Sequence, residues 1–134
     1  MSLGERIELV AVDESGDISP LSIWLPDSGT ERILVELPDG ERAEFRGADL
    51  LECLMDLREH LESTGKLLAC QGARVNVFPS GLLKQWSGGR EAYVLQEDQP
   101  DAEKEVVDVF APADPGDVGT LAEQYDFVKR FHGL

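Results

Sequence analysis

Two hydrophobic periods, one following the other, decide what this chain can fold into. From residue 5 to residue 46 apolar side chains recur at every second position. Ile7, Leu9 and Ala11 form the first row, Leu21, Ile23 and Leu25 the second, Ile33, Val35 and Leu37 the third, and Ala43 with Phe45 the fourth. A period of two places each row on one face of a strand. The runs are separated by Glu14-Ser15-Gly16-Asp17, Pro26-Asp27-Ser28-Gly29 and Pro38-Asp39-Gly40, whose Pro, Asp and Gly residues have turn chemistry. The first third therefore predicts an antiparallel meander with one wet, acidic face. At residue 49 the period changes. Leu50, Leu54, Leu57 and Leu61 fall on one helical stripe, with Leu51 and Met55 beside it. Asp49 and Glu52 have capping-box spacing and Gly65 suits the C′ position, which predicts a helix over 49–64. Glu52, Asp56, Glu59 and Glu62 are expected to face water.

The remainder alternates short apolar runs with breakers. Strands are expected at 67–70, 75–78, 92–95 and 106–110, with a short helix at about 81–86 that Ser80 can cap and Gly88-Gly89 ends. The polar, proline-broken stretch 96–105 reads as an exposed loop. Asp114 and Pro115 read as N-cap and first turn of a second main helix at about 115–131, with Val118, Leu121, Tyr125, Val128 and His132 on its stripe. The fold class expected is α+β: a largely antiparallel sheet with two main helices packed on it, in a single domain spanning 1–134.

Charge narrows the functional classes. The chain carries 27 Asp and Glu against 12 Lys and Arg, a net of −15. It is not evenly spread. Residues 1–64 carry 16 acids against 5 arginines and residues 96–134 carry 10 acids against 3 bases, whereas residues 65–95 hold Lys66, Arg74, Lys84 and Arg90 against Glu91 alone. Such acidic flanks repel nucleic acid backbones and anionic membranes, so nucleic acid is not an expected partner. No run is long and apolar enough to span a bilayer and no signal peptide opens the chain, which points to a cytoplasmic protein. Two cysteines, Cys53 and Cys70, are too few for a disulfide scaffold. No CxxC or HxxxH pair, EF-hand spacing, Walker A loop or GxGxxG occurs, so neither a metal nor a cofactor is indicated.

The basic island is where a ligand site is expected. Ser80 and Lys84 bracket a helix start, and Arg90 follows the Ser87-Gly88-Gly89 turn. With Arg74 these residues make a candidate anion site, since helix starts and guanidinium groups suit oxyanions. The competing reading is that Arg74 and Arg90 pair internally with carboxylates. Cys70, followed by Gln71-Gly72-Ala73-Arg74, is the only candidate nucleophile; a cysteine hydrolase also needs a histidine base, and no spacing links Cys70 to His60 or His132. A buried, inert thiol is the reading preferred for Cys70, and for Cys53 beside the leucine stripe, so no catalytic residue is expected. Trp24 points away from the row of Ile23 and Leu25, which makes it either an exposed contact residue or the cover of a second layer.

The elements Cys70-Gln71-Gly72-Ala73-Arg74, Phe78-Pro79-Ser80-Gly81 and Ser87-Gly88-Gly89-Arg90, running on to Leu95, resemble a pattern found in small bacterial proteins of uncharacterised function. The resemblance covers about a fifth of the chain and implies no activity. Two functions follow from the residues themselves. The first is a non-enzymatic binding protein that engages a basic protein partner, in the manner of an immunity-type inhibitor of a cationic toxin or nuclease. The second is a small-anion site for phosphate or carboxylate, with or without catalysis, built from Arg74, Ser80, Lys84 and Arg90.

Overall fold

The computed structural model describes residues 4–79, 81–96 and 105–133. The alternating rows become β1 (Arg6–Asp13), β2 (Ile18–Trp24), β3 (Arg32–Glu36) and β4 (Arg42–Arg46), an antiparallel meander as expected. A short strand, β5 (Lys66–Leu68), returns along β1 and completes a five-stranded sheet in the order β4-β3-β2-β1-β5. The pairing registers Leu9 against Leu21, Ile23 against Val35 and Ile33 against Phe45, so every predicted apolar row lies on one face. Helix α1 (Leu50–Ser63) covers that face with Leu50, Leu54, Leu57 and Leu61, all buried. Its start is fixed by Asp49, whose carboxylate accepts from the Glu52 amide at 2.9 Å, and its end by Gly65 at φ 78°.

The middle of the chain builds a second, three-stranded sheet, ordered β6 (Val77–Phe78), β7 (Glu91–Val94) and β8 (Val106–Asp108). Between β6 and β7 lies α2 (Gly81–Ser87). One hydrophobic cluster runs from Leu9 and Ile23 through the α1 leucines to Val94 and Phe110, so both sheets share a core. Ser80 and the larger part of the expected 96–105 loop lie outside the described residues. Among the described residues, no helix is long and apolar enough to cross a membrane.

The second main helix starts later than its stripe suggested. Asp114 does cap a turn, but it is a 3-10 turn over Pro115–Asp117. Helix α3 (Leu121–Phe131) begins only after Thr120, which forms a complete capping box with Glu123. The intervening Val118 and Gly119 are committed elsewhere: Val118 bridges to Arg74, and the Gly119 amide donates to the Ala73 carbonyl at 3.0 Å. The inward face is rotated accordingly. Tyr125 is 65 % exposed, and Gln124 takes the inward position beside Leu121.

Candidate functional site

The basic island wraps the first half of α1, and its glycines explain how closely. A Cβ on Gly72 would lie 2.8 Å from both Leu54 Cδ2 and Val109 Cβ. Gly89 packs on the start of α1, and the neighbouring Gly88 carbonyl accepts from the Leu50 amide at 2.9 Å. The glycines of the motif thus let three backbone segments approach one another.

Its cations turn toward this frame. Lys84 Nζ sits 3.4 Å from Asp49 Oδ2 and 3.4 Å from Glu52 Oε2, at the α1 start. Burial works against its charge, but the two carboxylates outweigh burial and raise its pKa. Arg90 grips Glu5 through two parallel bonds of 2.9 Å and reaches Asp108 Oδ2 at 3.0 and 3.2 Å. Those bonds raise the Arg90 pKa, and the bond from Arg90 holds the Glu5 carboxyl below its usual range. The internal pairing weighed for Arg90 is therefore present. Arg74 differs: Nη1 donates to Gln71 Oε1 at 2.7 Å, and its buried Nε has no partner among the described residues. Among the described residues Arg74 shares no bonded partner with Lys84 or Arg90. Ser80, the fourth expected member, lies outside the described residues.

Cys70 is fully buried opposite Pro112, in a bridge held by the Gln71 amide on the Ala111 carbonyl and the Ala113 amide on the Ala69 carbonyl, and its own carbonyl accepts from the Ala73 amide. Burial pushes the Cys70 thiol up to about 11 despite the opposing charge of Arg58. Burial and the nearby Asp49 push Cys53 up to about 11 as well. His60 packs against the Phe45 ring and His132 against Phe78, and neither is hydrogen-bonded to Cys70 among the described residues. Both thiols are protonated at neutral pH in this arrangement.

Each thiol holds its proton more tightly in the native chain than in the unfolded one, where the ordinary value of 9.0 applies. That contribution is complete below pH 9 and is lost as pH rises toward 11, by about 2 kcal/mol per thiol. Urea midpoints will fall across this interval, and the fall will be shallower in the Cys53→Ala/Cys70→Ala chain. Equal slopes in both chains would show that the thiols are not its source.

The polar centre of the molecule is a residue that the charge reading passed over. Arg58, 2 % exposed, projects from the inward side of α1, between Leu54 and Leu61 on the leucine stripe. Nη1 donates to the Gly72 carbonyl at 3.2 Å and to Gln124 Oε1 at 2.7 Å, and Nη2 donates to the Gly119 carbonyl at 3.1 Å. Gln124 Nε2 in turn reaches the carbonyls of Gly72, Arg74 and Val77 at 2.9–3.0 Å. Nearby, Glu62 accepts from the Leu121 amide at the start of α3. Of the four α1 carboxylates expected to face water, Asp56 and Glu59 are exposed, while Glu52 and Glu62 are half-buried and bonded. The signal for Arg58 was its position: a charge on a leucine stripe needs partners inside.

The described residues contain no group of three or more His, Cys, Asp or Glu placed to hold a metal ion. A cleft of about 210 Å³ opens at the β1–β5 end, lined by Val12, Leu67, Lys66, Glu62 and Thr120 among others. No family model matches the chain, and no curated protein matches its sequence.

Proposed function

We propose that the protein is a small acidic binding protein that engages a basic protein partner, as an immunity-type inhibitor of a cationic toxin or nuclease does. One observation carries this reading. Two of the island's four cations are engaged within the molecule, Lys84 on Asp49 and Glu52 and Arg90 on Glu5 and Asp108, and so is Arg58 of α1, among carbonyls. Carboxylates such as Glu14, Asp56, Glu59, Asp117 and Asp126 stay exposed. An approaching partner therefore meets a negative field little relieved by the island, and such a field speeds encounter with a cationic surface. Both cysteines are free, which suits a reducing cytoplasm of the bacterial type.

The test is binding to a panel of immobilised small basic proteins, toxin and nuclease domains included, at about 50 and about 200 mM salt. The expected result is selective capture by one member, with association slowed roughly tenfold at the higher salt and slowed again by Asp56→Lys with Glu59→Lys. Equal weak retention on every member, or none at all, sinks the reading. One observation favours the small-anion alternative, the unpartnered Nε of Arg74. A melting shift with phosphate or acetate that Arg74→Ala removes would put that alternative in first place.

A further inference from the structure

The five-stranded sheet has a second face. Its inner face carries the core and α1; among the described residues no element packs on the outer one. Antiparallel sheets often leave one face in water, and such a face is normally polar throughout. This one is not. Strand register puts Val12 between Ile18 and Leu67, with the Val10–Pro20 pair alongside, all on the outward side. Ile18 is 59 % exposed. The five form a contiguous apolar patch across three strands.

The other half of the face is charged, and nearly balanced. Arg6, Arg32, Arg42 and Arg46 share it with Glu8, Glu36 and Glu44, in a chain whose net charge is −15. The guanidinium carbons of Arg6 and Arg42 lie 5.2 and 5.6 Å from the Trp24 ring centre, so Trp24 is held among cations and covers no second layer. The arginines pair with glutamates of the same face, but their side chains are 57–74 % exposed. Exposed pairs of this kind hold weakly and exchange partners at little cost.

We infer that the outer sheet face is an interface with a second copy of this chain, the apolar patch at its centre and the arginine and glutamate rows pairing across it. Charge selects the occupant. Two copies of so acidic a chain repel through most of their surface, and this is the face where four arginines meet three glutamates. Arg rows of one copy can face Glu rows of the other in a two-fold arrangement. A basic partner would find those arginines opposed to it here. Five strands of this length present on the order of 500 Å², short of the about 800 Å² per partner of a standard interface. The dimer is accordingly dissociable, and its population follows concentration.

Sedimentation of the full chain over about a hundredfold concentration range tests this. The mass is expected to rise from 14.7 kDa toward twice that value. Added salt should strengthen the dimer by screening the net repulsion, the opposite of its effect on capture by a basic protein, so the two readings fail separately. Ile18→Glu, at an exposed position, should weaken association at least about tenfold while leaving the melting temperature in place. Met55→Glu, on the outer side of α1, should leave association unchanged. A mass fixed at the monomer value throughout overturns the inference. So does a dimer indifferent to Ile18→Glu, or one that Met55→Glu abolishes.

Discussion

Replacing Arg58 with alanine will lower the unfolding free energy by about 3–5 kcal/mol, the loss expected when one member of a buried, charged hydrogen-bond network is removed. The guanidinium supplies donors to Gly72 in the 3-10 turn Gln71–Ala73, to Gly119 on the approach to α3, and to Gln124 of α3 itself. Gly72 keeps a donor from Gln124 Nε2, but the Gly119 carbonyl and Gln124 Oε1 lose theirs. A buried acceptor left without a donor costs roughly 1–3 kcal/mol, and truncation also leaves a cavity. Burial depresses the Arg58 pKa. The charge is tolerated because carbonyl dipoles converge on it; no carboxylate lies within ion-pair distance among the described residues. Arg58→Lys should rescue little, since one ammonium cannot span acceptors set by a planar fork. Arg58→Met, which refills the space, should recover part of the loss. A double-mutant cycle with Gln124→Ala, read from urea midpoints, should show coupling of about 1–3 kcal/mol. Additive losses would mean that Arg58 only fills volume.

The fold was legible where periodicity is local. Ile7, Leu9 and Ala11 declare their face by alternation alone, and α1 declares both its stripe and its caps within 17 residues, Asp49 to Gly65. What escaped depends on partners far away in the chain. Arg90 finds Glu5 across 85 positions, and nothing near Arg90 names that carboxylate. Charge counting marked residues 65–95 as distinct, and the distinction is real: this is where cations meet the acidic flanks from inside. Counting cannot tell a cation offered to a ligand from one engaged at home. The C-terminal helix shows a similar limit. Val118 and Tyr125 fit an apolar stripe, yet Arg58 and three backbone carbonyls needed an amide at 124, so polar satisfaction set the rotation of α3 in place of hydrophobic periodicity.

Gly89→Ala should be the most damaging single-methyl change in the motif, at about 3 kcal/mol or more. Two effects add. Gly89 has φ 85°, a region where an L side chain meets a steric penalty of roughly 1–2 kcal/mol. The new Cβ would also lie 2.6 Å from the Leu51 amide nitrogen and 2.8 Å from Asp49 Cγ, atoms of the helix start that cannot swing aside as a flexible side-chain tip would. Overpacking of that kind costs roughly 1–3 kcal/mol. Relief would require α1 to shift from the Gly88 carbonyl that accepts from Leu50, or Asp49 to leave the Glu52 amide it caps. Gly40 separates the two effects: its φ is 89°, but a Cβ there has nothing within 4 Å. Gly40→Ala should therefore show the backbone penalty alone, about 1 kcal/mol. Denaturant midpoints for the two variants measure the difference. If Gly89→Ala were no worse than Gly40→Ala, the Gly88-Gly89 turn would not be clamped on α1, and the island would owe its glycines to turn geometry only.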